Sequence, residues 1–426
     1  MLNSDQEKAA SFIKNWWLGK QRFMVLEGEA GTGKTYLLNN VINSLPGCTP
    51  LFTAPTNEAC RQMELTLPED SLIKTTYSAL GFNMSTNGEL KELKQGRYCS
   101  VLDDVNLFIV DEASMCGEVL HEAIKNTNLK ILFIGHRFQL PEVNVNLKPD
   151  DLCKSIVFEQ DYPTYTLTTN ERASGELYNF VSKLPLIIYN QPRLFSSKYA
   201  RSEVSLLEYI FSKEGRESFL NEESKLICYS NKEVDNYNKV IRESLFGKLA
   251  PDIVPKDKLI LIQPTTFVGM LNGVKKAALL RKETKESKIV FSTNSKAVVK
   301  KVKFAVVLGV DCHELEVDIK GDRIPLYIPI NEKQFEELKH GLRVECYSMG
   351  TTKAKENAWK NYHYLISLFS HCKYSYSLTT HRAQGMTIDN VFVNWKDIKR
   401  CGNIYLRYKL LYVAASRVKN NLNIIG

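Results

Sequence analysis

The chain has 426 residues, 44% of them apolar and 24% charged, and carries a net charge of +8. That length suits about two to four compact units with sizeable cores, and the balance excludes a disordered, collagenous or disulfide-stapled chain. No apolar run approaches the ~18 residues of a membrane helix, and the mild basic excess permits a polyanionic partner without demanding one.

The ten cysteines form no Cys-x-x-Cys, and the pairs Cys312-His313 and His371-Cys372 read as incidental rather than as metal ligands. Scattered free thiols fit a reducing compartment. Met1-Leu2-Asn3-Ser4-Asp5 has no apolar signal region. A soluble cytoplasmic protein with no membrane partner is the expectation.

Ser4-Asp5-Gln6-Glu7 predicts a helix start, with Ser4 as N-cap and Glu7 three residues later. Phe12, Ile13, Trp16 and Trp17 give that helix an apolar face. Gln6 is either a polar first-turn residue or an amide that reads a donor and an acceptor on adenine. Phe23–Leu26 reads as a buried parallel strand, and the apolar spacing in Tyr36–Ile42 predicts a helix. Between them Gly28–Thr35 reads Gly-Glu-Ala-Gly-Thr-Gly-Lys-Thr, which fits Gly-x-x-x-x-Gly-Lys-Thr. Glycines let the backbone wrap close to phosphates, and the helix start adds partial positive charge. Gly31, Thr32 and Gly33 line this cradle, Lys34 reaches the β and γ phosphates, and the Thr35 hydroxyl suits Mg²⁺. ATP and Mg²⁺ are therefore the expected ligand and metal.

Leu51–Ala54 predicts the next strand, then Pro55-Thr56-Asn57 and a helix from about Glu58. Thr75, Thr76, Tyr77 and Ser78 place small hydroxyls beside an aromatic, which suits phosphate contacts and base stacking but also any loop. Residues 81–100 break the α/β rhythm. Asn87-Gly88 is a hairpin turn signal and Lys91, Lys94 and Arg97 make the return leg basic, so a small projection is expected.

Leu107–Val110 runs into Asp111 and Glu112. A buried strand ending in two carboxylates completes a nucleotide site: Asp111 orients Mg²⁺ and Glu112 acts as base for the attacking water. The strand Lys130–Gly135 leads to His136-Arg137-Phe138-Gln139, where Gln139 is the candidate sensor of the γ-phosphate. Tyr165–Thr168 leads to Arg172, a surface charge or a finger on the transferring phosphate. Leu226–Asn231 opens another strand-to-helix unit, which implies a second α/β domain from near residue 166.

From about 246 to 371 the texture becomes β-rich, with dense lysines between Lys275 and Lys303 and one helical stretch, Asn331–Leu338. The α/β pattern returns with Tyr376–Thr387, the strand-like Val391–Val393, the apolar helix Leu410–Arg417 and a last strand, Leu422–Ile425. A lone arginine ending such a helix is ordinarily a cap or a surface charge.

In this order the motifs resemble superfamily 1 helicases of the RecD-like, 5′-to-3′ branch, most nearly the Dda-type DNA helicases of bacteriophages. The resemblance covers nearly the whole chain and is weak between about 246 and 371. It implies an α/β fold of two RecA-like P-loop domains. The first would be 1–165 with a pin-like hairpin insertion at 81–100. The second would be 166–245 and 372–426, interrupted by a β-rich, SH3-like insertion at 246–371. By resemblance Gln6 reads adenine, and Lys34, Asp111, Glu112, Gln139, Arg172 and Arg417 form the catalytic set. Gly31–Thr35 and Gly385 bind the nucleotide, and Thr35 and Asp111 hold the metal. Pro55, Thr56, Tyr77, Ser78, Asn231, Thr380 and His381 contact DNA. His136 departs from the pattern, which has Asp after that glycine; a cation there would pair with a carboxylate or the γ-phosphate, and the other reading is that the ring only packs.

The activity implied is ATP-driven translocation on single-stranded DNA with separation of forked duplex. The chain would act as a monomer beside replication or recombination proteins, in the host cytoplasm if phage-encoded. A translocase that strips bound proteins with little unwinding, and an RNA-directed helicase, would carry the same motifs.

Overall fold

The computed structural model describes residues 2–84, 93–95, 100–142, 154–171, 176–190, 198–263, 265–267, 289–291, 295–319 and 321–426. They divide into two compact units, one of Met1–Tyr209, Glu223–Val234 and Leu378–Gly426, the other of Ile210–Glu222 and Asp235–Ser377.

The first unit holds two large sheets. One has six strands in the order Ile73–Thr75, Pro50–Ala54, Leu107–Val110, Lys130–Gly135, Phe23–Gly28, Thr164–Leu167, all parallel. Both of its faces are covered, so its strands are continuous apolar runs rather than alternating ones. The period of two still sorts their side chains. Met24, Leu26, Leu107, Ile109, Leu132 and Ile134 enter one core, with Ile13 and Trp16 of the helix Ser4–Leu18 and Leu37 and Val41 of Lys34–Ile42. Val25, Phe108, Val110, Ile131 and Phe133 enter the other, with Leu120 and Ile124 of Glu118–Lys125. The expected strands at 23–26, 51–54, 107–110 and 130–135 all lie in this sheet.

Two sequence expectations are corrected here. The N-cap is Asn3, one residue earlier than Ser4, and the capping box partner is Gln6 rather than Glu7. The strand Thr164–Leu167 pairs with Phe23–Gly28, so the first sheet runs across the boundary expected at 165/166. In the hairpin region Phe82–Met84 pairs antiparallel with Leu93–Gln95; its turn at Asn87-Gly88, with Lys91 and Arg97, lies outside the described residues.

The second sheet of this unit orders Ser377–Thr379, Ser224–Cys228, Ile388–Asn394, Val418–Ile425 and Ala200–Arg201. Ser224–Cys228, Ile388–Asn394 and Val418–Ile425 pair in parallel. The helix Ile404–Ala415 buries Leu410 to Ala415.

The other unit is built on an antiparallel sheet ordered Asp322–Pro329, Val310–Ile319, Lys296–Val307, Lys258–Leu261, Cys372–Tyr374. Leu259, Leu261, Val299, Leu315, Val317 and Leu326 form its core. Buried Asp257 accepts from the Arg242 guanidinium at 3.1 Å and from the Tyr376 hydroxyl at 2.9 Å. The helical stretch expected at 331–338 is the start of a longer helix, Glu332–Ser348, and a second helix, Thr352–Ile366, follows it. Among the described residues no helix is long and apolar enough to cross a membrane, and no cluster of metal-ligating side chains occurs.

Candidate nucleotide site

The strand Phe23–Gly28 lies between Lys130–Gly135 and Thr164–Leu167, and its carboxyl end carries the glycine loop. Crevices at the carboxyl ends of parallel strands are where such sheets bind ligands. Gly31 and Gly33 take φ of 92° and 74°, a left-handed backbone that side chains rarely adopt. Gly33 opens the helix Lys34–Ile42 and no side chain caps that start. Lys34 Nζ donates to the carbonyls of Gly28 and Glu29, both at 2.7 Å, and so lies over the loop. Thr32 is buried with its hydroxyl on the Glu29 carbonyl at 3.0 Å, and Thr35 is half-buried in the first helical turn. Glu29 is held above the ordinary carboxylate range by burial, against a hydrogen bond from Tyr178.

Gln6 is buried. Its Oε1 accepts from Asn3 N at 3.1 Å and its Nε2 donates to the Thr32 carbonyl at 3.3 Å. A Cβ at Gly33 would come within 2.5 Å of that Nε2. The residue expected to read adenine thus braces the loop itself.

A strap that sequence reasoning missed lies beside this loop. The Asp5 carboxylate accepts from Thr168 N at 2.8 Å, Thr169 N at 3.1 Å and the Tyr165 hydroxyl at 3.0 Å. The next two residues then reach the loop: Asn170 Nδ2 donates to the Ala30 carbonyl at 2.7 Å, and Glu171 N donates to Gly31 O at 2.8 Å. Arg172 comes next and lies outside the described residues. It had been expected in the second domain, but the residues leading to it are fastened to the P-loop.

Asp111 and Glu112 leave the strand Leu107–Val110 as expected. Burial, then the charge of Glu112, pushes the Asp111 carboxyl up to about 6. Its Oδ1 accepts from Glu112 N at 2.8 Å. Glu112 has φ of 51°, a strained conformation for a residue with a side chain. Two amides converge on one oxygen of its carboxylate: Gln139 Nε2 at 2.5 Å and Gln384 Nε2 at 3.2 Å from Glu112 Oε2. Gln139 is where the sequence placed it. Gln384 was not picked out, because its partner is 272 residues away in sequence.

His136 and Arg137 diverge in role. Arg137 grips the buried Glu27 carboxylate with Nε and a terminal nitrogen, both at 2.8 Å, and ties this loop to the strand before the P-loop. His136 is buried, with its ring centroid 5.4 Å from Phe138 and 5.8 Å from Tyr412. Burial pushes its imidazole down to about 4; the Glu27 charge opposes this, and Lys34, Arg137 and Lys409 add to it. Burial thus works against the cationic reading of His136 and favours the packed one, with the ring set against Phe138 and Tyr412. A histidine with a lowered folded pKa contributes stability that is complete above about 6.5 and is lost as pH falls toward about 4. A difference of that size corresponds to on the order of 3 kcal/mol. Wild type should show this acid loss in melts between pH 7 and pH 4, and His136→Phe should not. Parallel pH curves for the two proteins would refute it.

The second sheet supplies the remaining candidates. Arg417 is buried; its Nε donates to Val413 O at 3.0 Å and a terminal nitrogen to Ser416 Oγ at 2.9 Å. On the helix that precedes it, Ile404–Ala415, Lys409 Nζ donates to the Arg137 carbonyl at 2.6 Å. Gly385 has φ of 84° and open space where a Cβ would stand. Thr380 is fully buried with its hydroxyl on Cys228 O at 3.2 Å, so it joins two segments of its own sheet and is corrected as a DNA contact. His381 is half-buried, and burial lowers its imidazole pKa. Asn231 is exposed at the start of its helix.

On the first sheet Pro55 and Thr56 are half-buried, and the Thr56 hydroxyl caps the helix Asn57–Glu64. Ser78 is exposed. Tyr77 is half-buried against the core with its hydroxyl on Glu142 at 2.9 Å, which leaves only part of it open for the stacking the sequence suggested.

A glycine loop, a strand-end carboxylate pair and a second parallel sheet contributing to one site define a RecA-like P-loop ATPase. An AAA domain model matches residues 1–183, and a UvrD-like helicase C-terminal domain model matches 374–425. The chain is 22% identical over 438 residues to the ATP-dependent DNA helicase dda of Enterobacteria phage T4, covering 98% of this chain and 97% of that protein. It is 28% identical over 239 residues to the ATP-dependent DNA helicase Pif1 of Campylobacter jejuni, about half of each chain (50% and 49%). Its fold is similar to a Pif1 helicase from Bacteroides crystallised with ADP-AlF3 and single-stranded DNA, with TM-score 0.54 at 15% identity over 99% of this chain and 92% of that one. Taken together, these matches make the chain similar to the Pif1/Dda-like helicases of superfamily 1.

Proposed function

We infer that this chain is an ATP-dependent DNA helicase that moves 5′ to 3′ on single-stranded DNA and couples each hydrolysis to strand separation. One observation carries the reading: Glu112, at the end of a first-sheet strand, is held by amides from both sheets, Gln139 at 2.5 Å and Gln384 at 3.2 Å. A base held this way is sensitive to how the two sheets approach, which is what a motor needs.

The residues divide the work. Lys34 exchanges its loop carbonyls for the β and γ phosphates. Glu112 takes a proton from water as the water oxygen bonds to the γ-phosphorus and the bond to the bridging oxygen breaks. Arg417 and Arg172 offset the charge on the transferring phosphoryl group. The Thr35 hydroxyl and the Asp111 carboxylate are hard oxygen donors suited to Mg²⁺, which when bound would neutralise phosphate charge. Pro55, Thr56, Ser78, Asn231 and His381 are the proposed strand contacts. We assign the two RecA-like domains to the two sheets of the first unit, the 81–100 segment to a strand-separating pin, and 246–371 to an SH3-like insertion. The protein acts as a monomer on forked DNA beside replication or recombination proteins, in the cytoplasm, or the host's if phage-encoded.

The test is unwinding of matched duplexes with 5′ or 3′ single-stranded tails. The 5′-tailed substrate should be opened with ATP and the 3′-tailed one left intact. Removal of a bound protein from single strands without opening either duplex would instead make the chain a remodelling translocase. Preference for an RNA tail would make it RNA-directed.

A further inference from the structure

Gln384 follows the short helix Thr380–Ala383 and precedes the positive-φ Gly385, a turn that seats its side chain in the nucleotide site with 7% exposure. A carboxylate only accepts hydrogen bonds, so the atom 3.2 Å from Glu112 Oε2 is the amide nitrogen. The amide oxygen is thereby fixed on the other side. It is buried and accepts no hydrogen bond among the described residues. A buried carbonyl without a donor is costly and implies a partner in the working state.

Gln139 offers a contrast. Its Nε2 is on Glu112, and its Oε1 already accepts from His136 N at 2.8 Å. Of the two amides on the base, Gln384 is the one whose carbonyl is wholly unengaged; that of Gln139 already has one lone pair on His136 N. Both amides also bond the same carboxylate oxygen, and Glu112 Oε1 takes no hydrogen bond among the described residues. One O–H donor between Gln384 Oε1 and Glu112 Oε1 would satisfy both atoms.

We propose that Gln384 is a water-positioning residue: its amide N–H holds Glu112 while its carbonyl orients the water that attacks the γ-phosphorus. The proposal rests on Glu112 being the base. The water gives one proton to Glu112 Oε1 and directs the other at Gln384 Oε1. The orienting group therefore comes from the second sheet, and the base from the first.

The test is steady-state ATPase of the full chain, stimulated by single-stranded DNA, for wild type, Gln384→Met, Gln384→Glu and Glu112→Gln. Gln384→Met keeps length and packing and removes both polar atoms. It should lower kcat by about 10²-fold, the cost of a misplaced reactant, with KM for ATP and Tm unchanged. Gln384→Glu keeps an acceptor, loses the donor and sets a carboxylate beside Glu112; kcat should fall at least as far, and it decides the matter should the Met protein not fold. Wild-type kcat in the folded Gln384 variants beside an inactive Glu112→Gln would overturn the proposal and leave the base in place. Wild-type kcat in Glu112→Gln would overturn both. A kcat loss tracked by a lower Tm and a raised KM would reduce Gln384 to a packing residue.

Discussion

Lys34→Ala is expected to lower DNA-stimulated ATP turnover by at least about 10²–10³-fold, the scale of losing one preorganised charge contact to a developing anion. Its ammonium lies on the Gly28 and Glu29 carbonyls, both at 2.7 Å, so it is held over the loop before phosphate arrives. Removing it costs the site its one positive charge in the loop and takes the ammonium donor from the Gly28 and Glu29 carbonyls. Nucleotide affinity should fall with turnover. Steady-state ATPase and equilibrium binding of a fluorescent ATP analogue check this together. Wild-type turnover in a folded Lys34→Ala protein would mean that this loop does not hold the reacting phosphates.

Arg417→Ala is expected to cost about 10³-fold or more in turnover, the scale of an arginine finger. Arg417 is buried at the end of its helix, bonded to Val413 O and Ser416 Oγ, so the side chain must turn out of these contacts to reach a phosphate. The same contacts give it a packing role, and the experiment must separate the two. Arg417→Lys keeps the charge but loses the planar fork. If the arginine acts on the phosphoryl group, both variants bind the ATP analogue normally and turn over slowly. If it only closes the helix, both melt early, and turnover per folded molecule stays at the wild-type level.

The nucleotide site was largely legible in the sequence because its chemistry is local. A loop that wraps phosphate needs glycines at fixed intervals, and Gly31 and Gly33 do adopt left-handed backbone. Strands buried on both faces must be apolar throughout, so Leu107–Val110 and Lys130–Gly135 could be bounded from composition alone. What failed depends on packing. Thr380 and Ser78 are both small hydroxyl residues at helix starts, yet one is fully buried and the other exposed. Tyr77 looked like a stacking platform because an aromatic in a polar loop reads the same whether its ring meets a base or a core. Thr164–Leu167 is short and half polar, and only pairing with Phe23–Gly28 assigns it to the first sheet. Asp5 acts on partners far away in the chain, and no local pattern announces such a contact.

Asp5 and the strap it fastens have a thermodynamic consequence for the P-loop. The Ala30 and Gly31 carbonyls are tied by Asn170 and Glu171, and Thr32 by Gln6. A glycine-rich segment left to itself has many backbone states to surrender when a ligand arrives. Here much of that disorder is removed as the chain folds, by groups drawn from two separate stretches of sequence. The association entropy of nucleotide is correspondingly less unfavourable. The permissiveness that glycine brings to the loop's geometry is thus retained, while the wandering that usually accompanies it is suppressed from outside.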